Sequence, residues 1–365
     1  MNINSKLFKT AGYLCCAFTL AVLFTGCLKS ENETIVPNYI SEGVFIVNEG
    51  SFNAGNSSIS YLNLNNQTMS NNVFESTNGF PLGDVAQSMT ISDGKGYIVV
   101  NNSQKVEVVD ISNMNNIATI SGFQSPRYMI TRGTKGYVSD WFDNNIKVID
   151  LSTNTIINTI PTGNGPEQML IFNQKLFVAN VGGFGNETTV TVINLNSETV
   201  LATIQIGTNP NSLKLDNNNK LWVLCGGSLG PDFTGGTADD IGGSLWKIDP
   251  VSLVVEQSYP MQQGDHPSRL AINGAANYLY YLKGSDGYTG SVYTASVVNP
   301  NLNSAPFISK SFYGFNVDIA SGIIYGGYVP GFTQNGMIFR YQPNGVLIDS
   351  MEVGIAPNYF IFKQL

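Results

Sequence analysis

The sequence predicts an all-β fold: a seven-bladed β-propeller of four-stranded blades, in which the C-terminal strand joins blade one and closes the ring. Three observations predict it. Similar segments recur roughly every 40 residues, a period typical of propeller blades. One short strand occurs in seven copies, and the strand expected to precede the first copy is found at the end of the chain instead.

The outer half of the blade is the clearest repeat. Three segments align without gaps, at residues 110–120, 150–160 and 194–204, and an alternating β-branched run precedes each of them. Every segment begins with Asp or Asn, continues through a polar stretch, and ends on Ala-Thr-Ile or Asn-Thr-Ile. This pattern predicts two antiparallel strands joined by a tight turn.

The inner half of the blade repeats as two short strands. The second strand has seven copies, at residues 43–48, 96–101, 136–140, 176–180, 221–224, 278–281 and 322–325. The first strand precedes six of them, at residues 88–91, 128–130, 168–171, 212–215, 269–272 and 316–319, and its seventh copy is residues 358–362. A ring closed in this way pins both termini and leaves no sheet edge exposed. We therefore place the propeller at residues 43–365.

Composition and charge exclude several functions. Only 12% of the residues are charged, and the net charge of −8 comes without a cluster of Lys or Arg. Nucleic acids are therefore not expected partners. His266 is the sole histidine, and we interpret it as a loop residue rather than a catalyst or metal ligand. We recognise no nucleophile motif and predict a protein that is not an enzyme, with no cofactor and no metal site.

The first 26 residues have the layout of a signal peptide. Lys6 and Lys9 precede an apolar run over residues 11–24. That run is too short to serve as a stable membrane span. The sequence therefore predicts export, with residues 1–26 removed.

The residues that follow predict a lipid anchor. Residues 23–27, Leu-Phe-Thr-Gly-Cys, resemble a lipobox, which implies lipidation of Cys27; the alternative is an ordinary signal in which Cys27 has no such role. Residues 28–33 resemble the acidic export signal of Bacteroidetes lipoproteins, which implies an outer-membrane, surface-exposed protein tethered by residues 27–42. Cys225 then remains as a free thiol, and its apolar strand predicts that it is buried.

Loops on one propeller face form the candidate site. The loops between second and third strands carry aromatics among Gly and Asn, whereas the loops on the opposite face are short and polar. Aromatic side chains there suit a large or flat ligand, although they could instead pack against neighbouring loops. The predicted ligand-binding residues are Phe52, Arg127, Tyr128, Trp141, Phe184, Phe233, Arg269, Tyr288 and Phe332.

Polar residues at the start of the inner strands belong to the same face. They are Gln87, Arg127, Glu167, Asn211, Arg269 and Asn358. The two arginines could bind a carboxylate or phosphate, or could pair with Glu167 or Asp265.

The insertion at residues 226–243 is the longest loop of the set. We expect a mobile binding loop there. A calcium site is the alternative, because Asp232, Asp239 and Asp240 supply oxygen ligands.

The number and phase of the repeats over residues 43–365 resemble the YncE-like seven-bladed propellers, and the Gly-His and Trp-Asp pairs of WD40 blades are absent. With its anchor and aromatic face, the chain is similar to the Bacteroidetes surface lipoproteins that capture cobalamin above a TonB-dependent transporter. The resemblance implies cobalamin or a similar nutrient as the ligand, and such a transporter as a partner. No ligand-contact motif matches residue by residue.

Two alternatives remain open. One is a surface propeller that binds a protein or a glycan and takes no small molecule. The other is a lactonase-like or quinoprotein-like enzyme, for which Trp141 is the tryptophan on the favoured face, since Trp222 and Trp246 are interpreted as strand residues.

Overall fold

The computed structural model describes Tyr39, residues 42–302 and residues 305–363. These residues form seven four-stranded antiparallel sheets arranged as a β-propeller, which confirms the predicted fold. The signal peptide, Cys27 and most of the tether lie outside the described residues, and their roles stay predictions.

Each blade is a sheet of four strands that follow one another in the chain, except in blade one. Blades one to four contain β1 (Gly43–Asn48), β2 (Ser58–Asn63), β3 (Thr68–Ser70), β4 (Ala86–Ser92), β5 (Lys95–Val100), β6 (Lys105–Asp110), β7 (Asn116–Ser121), β8 (Pro126–Arg132), β9 (Lys135–Asp140), β10 (Asn145–Asp150), β11 (Thr155–Pro161), β12 (Pro166–Phe172), β13 (Lys175–Asn180), β14 (Thr189–Asn194) and β15 (Thr199–Gln205). Blades five to seven contain β16 (Pro210–Leu215), β17 (Leu221–Cys225), β18 (Ser244–Asp249), β19 (Val254–Pro260), β20 (His266–Ile272), β21 (Tyr278–Gly284), β22 (Gly290–Ser296), β23 (Ile308–Phe312), β24 (Gly314–Val317), β25 (Ile324–Tyr328), β26 (Asn335–Tyr341) and β27 (Leu347–Ile355).

The remaining strand, β28 (Pro357–Lys363), closes the ring. It pairs antiparallel with β1, placing Phe360 opposite Ile46 and Phe362 opposite Val44. Blade one therefore has the order β28-β1-β2-β3, as the phase of the repeats predicted. The first and last strands of the propeller hold each other in place.

Apolar residues on both faces of the central strands explain the packing. In β1, Val44 and Ile46 belong to a cluster shared with blade seven, whereas Phe45 and Val47 belong to one shared with blade two. The described residues form seven such clusters, one at each junction between neighbouring blades. Sheets covered on both faces require nearly continuous apolar strands, which is the pattern in the sequence.

The repeated Asp or Asn that closes the third strand in blades one to five has a structural role. The side-chain oxygen of Asp110 accepts a hydrogen bond from the backbone N–H of Ser112 at 2.8 Å, and Asp150 accepts one from Ser152 at 2.8 Å. These bonds build the tight turn into the fourth strand. The repeated Asp or Asn in the outer half of the blade is therefore explained by turn formation and not by ligand binding.

One short helix, α1 (Val73–Asn78), lies between β3 and β4, and the sequence did not predict it. Strand β3 has only three residues, and Val73 and Phe74 of the helix fill the core between blades one and two. Gly79 ends the helix with a φ of 73°, a conformation that glycine adopts without steric cost. Within the described part of the chain, no helix has the length and apolar character needed to span a membrane.

Candidate functional site

Bulges at the start of the inner strands place polar side chains at one end of the central channel. In β8 the pairing with β9 skips from Pro126 to Met129, and in β20 the pairing with β21 skips from Ser268 to Ala271. Similar shifts occur in β4, β12, β16 and β28. The unpaired positions include all six of the predicted polar residues, Gln87, Arg127, Glu167, Asn211, Arg269 and Asn358. The bulges also explain why these strands begin earlier than the sequence predicted, because an extra residue breaks their alternation.

A cavity of about 730 Å³ lies over this ring. Its floor includes Gln87, Arg127, Glu167, Asn211 and Arg269, and its walls are loops of blades three to six. The volume falls within the roughly 300–1,000 Å³ of small-molecule sites. The starts of the inner strands and the loops between second and third strands therefore lie on the same face, as predicted.

Arg127 is held in a closed network. Its Nε and Nη2 donate to the two carboxylate oxygens of Glu167 at 2.9 and 2.8 Å, and its Nη1 donates to Gln87 Oε1 at 2.7 Å. The guanidinium carbon lies 4.5 Å from the centre of the Trp141 ring. Of the two alternatives from the sequence, the pairing with Glu167 is the one observed. The Glu167 carboxylate also raises the pKa of Arg127, although burial opposes this shift.

Arg269 has different surroundings. Its Nη1 donates to the Tyr128 hydroxyl at 3.1 Å, its Nη2 donates to Asn358 Oδ1, and its guanidinium carbon lies 5.8 Å from the centre of the Tyr313 ring. The predicted alternative partner Asp265 instead pairs with Lys283 at 2.9 Å. Arg269 forms no ion pair with any residue that the structure describes.

A buried carboxyl group, Glu49, completes the polar floor and was not among the predicted site residues. The Tyr313 hydroxyl donates to Glu49 Oε2 at 2.6 Å. Burial raises the pKa of Glu49 above its ordinary value, against the opposing effects of the Tyr313 hydrogen bond and the two arginines. Glu49 follows β1 and Tyr313 precedes the inner strand β24, so chain position alone could have indicated both residues.

Most of the predicted aromatic residues line the cavity. Tyr128, Trp141, Phe184, Phe233 and Tyr288 are among its lining residues. The rings of Trp141 and Phe184 lie 6.0 Å apart, centre to centre, joining the loops of blades three and four. Phe184 is 84% exposed, Phe233 75% and Tyr288 65%. These side chains offer accessible apolar area at the mouth of the cavity.

Two predicted residues do not line the cavity. Phe332 packs its ring against Tyr313 with centres 5.4 Å apart, and its backbone oxygen accepts a hydrogen bond from Ser51 at 2.6 Å. Phe332 therefore packs against a neighbouring loop, which was the alternative to ligand binding for the aromatic residues. Phe52 is 72% exposed and lies outside the cavity lining.

The interpretation of His266 as a loop residue is wrong. It is the first residue of β20 rather than a loop residue, and it is 2% exposed. Its Nδ1 lies 3.1 Å from the backbone oxygen of Gly226 and its Nε2 lies 3.2 Å from Asp240 Oδ2. The histidine thus ties the insertion at residues 226–243 to blade six, a long-range contact invisible in the sequence.

The insertion folds back on itself beside the cavity. Ser228 and Ile241 exchange two backbone hydrogen bonds of 2.8 and 2.9 Å. The Asp240 carboxylate accepts the Gly236 N–H at 2.5 Å, and this bond and the contact with His266 lower the pKa of Asp240 although burial opposes the shift. In the ranges that the structure describes, no three or more His, Cys, Asp or Glu side chains are grouped to hold a metal ion. Whether the insertion is mobile stays a prediction.

Contrary to the expectation of no nucleophile motif, residues 226–230, Gly-Gly-Ser-Leu-Gly, fit the Gly-x-Ser-x-Gly pattern. In hydrolases this motif joins a strand to a helix. Here it follows β17 and leads into the insertion, and the Ser228 hydroxyl accepts the Gly230 N–H at 3.2 Å. The structural context of a nucleophile is therefore missing.

Cys225 is a free, fully buried thiol at the end of β17, as predicted. Burial raises its pKa to about 12, although hydrogen bonds involving Ser244 and Gly207 oppose the shift. A thiol with such a pKa is a poor nucleophile at neutral pH.

Solved structures similar to this chain are propeller proteins of several kinds. A quinonprotein alcohol dehydrogenase-like protein from Bacteroides thetaiotaomicron is 17% identical with a TM-score of 0.67, covering 89% of this chain and 79% of that chain. A periplasmic gluconolactonase from Pseudomonas aeruginosa is 12% identical with a TM-score of 0.62, covering 88% of this chain and 99% of that chain. Hydrazine synthase from Kuenenia stuttgartiensis is 14% identical with a TM-score of 0.58, covering 75% of this chain and 88% of that chain. At these identities the likeness concerns the fold alone.

Among curated proteins, none matches the sequence significantly. One family model does match, the domain of unknown function DUF5074, over residues 42–263. That span covers more than half of the chain and runs from blade one to the end of blade five. The chain therefore belongs to the DUF5074 family.

Proposed function

We propose that this protein is a binding protein that captures a small molecule in the cavity on one face of the propeller. The observation that carries the proposal is the combination of a polar floor and an aromatic mouth around one space of about 730 Å³. Sites of this kind hold the apolar body of a ligand by contact and fix its orientation through a few polar groups.

The exposure of the aromatic residues supports a ligand at the mouth. Phe184, Phe233 and Tyr288 come from the loops of three successive blades and leave most of their surface accessible. Such rings provide contact area with only two rotatable side-chain bonds each, so little conformational entropy is lost when a ligand is bound.

The finer proposal is nutrient capture at the cell surface. We propose that Cys27 carries a lipid, that the protein sits on the outer face of the outer membrane, and that cobalamin or a similar nutrient passes from it to a TonB-dependent transporter. Support comes from the lipobox-like residues 23–27 and the acidic residues after them. A large, flat ligand also suits a cavity whose mouth carries exposed aromatic side chains.

We propose binding without catalysis. Both ring nitrogens of His266 face acceptor atoms, Gly226 O and Asp240 Oδ2, so neither is placed to take a proton from a substrate. Glu167 is held by Arg127 on both carboxylate oxygens. These side chains hold the floor and one wall of the cavity in place.

Titration of a soluble chain beginning at residue 28 with cyanocobalamin tests the proposal. That chain keeps all 28 strands and the seven clusters between blades. Isothermal calorimetry is expected to show one-to-one binding that Phe184→Ala weakens, with Phe52→Ala as the matched control outside the cavity. Absence of binding at high micromolar concentration would remove cobalamin as the ligand.

A second candidate is a surface that binds a glycan or a protein. Exposed aromatic residues extend beyond the cavity, since Phe52, Phe142 and Phe332 are 72%, 59% and 52% exposed and do not line it. In this case a glycan array or a surface-protein binding assay should give a signal that Phe52→Ala and Phe142→Ala reduce, while cyanocobalamin does not bind.

A further inference from the structure

The floor of the cavity contains two arginines, Arg127 and Arg269, whose positive charges are neutralised to different extents by their neighbours. Arg127 shares a bidentate ion pair with Glu167, and Gln87 occupies a further N–H. Its charge and most of its donors are therefore already used. A guanidinium in this state positions its neighbours and has little left to offer an incoming anion.

Arg269 is bonded to neutral acceptors only, within the described part of the chain. They are the Tyr128 hydroxyl and the side-chain oxygen of Asn358. These two bonds engage one N–H on each terminal nitrogen. A guanidinium has five N–H donors in a planar fork. Donors for a further planar or tetrahedral anion therefore remain.

The backbone places this side chain at the cavity at some cost. Arg269 has a φ of +60°, which is unfavourable for a residue with a side chain, and it occupies the bulge of β20. Strained conformations of this kind are often found where a residue contacts a ligand. Tyr313 lies beside the guanidinium, and both residues line the cavity.

Glu49 is the buried carboxyl group on the same floor as Arg269, but its hydrogen-bond partner is Tyr313. Glu49 Oε2 accepts the Tyr313 hydroxyl at 2.6 Å, and no ion pair joins Glu49 to Arg269. The carboxyl is buried, a setting that disfavours its charged form. The positive charge of Arg269 is thus only partly balanced by its neighbours.

We propose that Arg269 binds an anionic group of the ligand, so that the site selects organic anions with a flat apolar body. This inference rests on the proposed function and adds the ligand class. The anion would lie on the floor against Arg269, and the apolar body would extend along Trp141 and Phe184 towards the mouth. Sulfonate, carboxylate and phosphate groups share the required chemistry.

Two related fluorescent probes separate this inference from the proposed function. 1-Anilinonaphthalene-8-sulfonate (ANS) carries an anion on an aromatic body, and N-phenyl-1-naphthylamine (NPN) has nearly the same body without the anion. Fluorescence titration of the soluble chain is expected to show both probes binding, with ANS bound about tenfold or more tightly, as one charge-assisted contact provides.

Three variants assign the difference to Arg269. Arg269→Gln should remove the advantage of ANS and leave NPN affinity within about twofold, because only the charge-assisted contact is lost. Arg132→Gln is the matched control, since Arg132 ends β8 far from the cavity lining and bonds Gln174. Arg269→Lys should reduce the advantage of ANS a few-fold, because a single ammonium group replaces the planar fork of the guanidinium. This variant keeps the test decisive if Arg269→Gln does not fold.

The outcomes are distinguishable. Failure of both probes to bind would contradict the proposed capture of small molecules in the cavity. Equal binding of ANS and NPN, or a loss of both in a folded Arg269→Gln variant, would overturn the anion site alone. Unchanged ANS binding in a folded Arg269→Gln variant would also overturn it, and if that variant does not fold, unchanged ANS binding in Arg269→Lys would do so.

Discussion

Closure of the ring by the C-terminal strand can be tested with Phe360→Ala. Phe360 lies in β28, is 1% exposed, and packs its ring 5.8 Å from that of Tyr325 in the cluster between blades seven and one. Truncation of a fully buried Phe to Ala costs about 3–5 kcal/mol through lost burial and the cavity left behind. Against the roughly 5–15 kcal/mol that stabilises a folded domain, this loss is large.

Equilibrium unfolding in urea, followed by tryptophan fluorescence, measures the effect. The free energy of unfolding should fall by about 3–5 kcal/mol for Phe360→Ala and by less than about 0.5 kcal/mol for Phe52→Ala, whose side chain is exposed. A loss below about 1 kcal/mol for Phe360→Ala would refute the reasoning. Residues 357–363 would then not form an integral strand of blade one.

Two cysteines give further predictions. The Cys225 thiol should react with 5,5′-dithiobis(2-nitrobenzoate) at pH 8 only after unfolding, and rapid reaction of the folded protein would contradict its burial. Because its folded pKa of about 12 exceeds the unfolded value, the associated stability is complete below about pH 8.5 and is lost as the pH rises towards 12; Cys225→Ala should flatten this decline in urea unfolding. For the anchor, Cys27→Ala should abolish incorporation of a palmitate analogue into the exported protein, and retained label would exclude Cys27 as the lipidated residue.

The fold was predictable because its determinants are local and repeated. A tight turn begins at Asp110, Asp150 and Asn194 through the same hydrogen bond to the backbone two residues on, and the central strands are apolar on both faces. Local rules therefore repeat until the ring is complete. Helix α1 was missed because its six residues act by filling a core left open by the short β3, which depends on tertiary packing.

The position of the site was predictable from the sequence, but the hydrogen-bond partners of its residues were not. Bulge residues such as Arg127 and Arg269 could be placed at one face from their chain positions alone. Their partners come from other blades: Glu167 is 40 residues from Arg127, and Asn358 is 89 residues from Arg269. Such contacts depend on ring geometry, and so the sequence left both alternatives for the arginines open. His266 was misassigned for the same reason, since its partner Asp240 lies in an irregular insertion.

The two ends of β1 lie at opposite faces of the propeller. Asn48 leads directly into Glu49 at the cavity, whereas Gly43 lies at the other end of the strand, about 17 Å away for six extended residues. The chain before Gly43 therefore joins the propeller at the face opposite the cavity. Ligand can therefore approach the cavity without passing the point at which the chain enters the propeller.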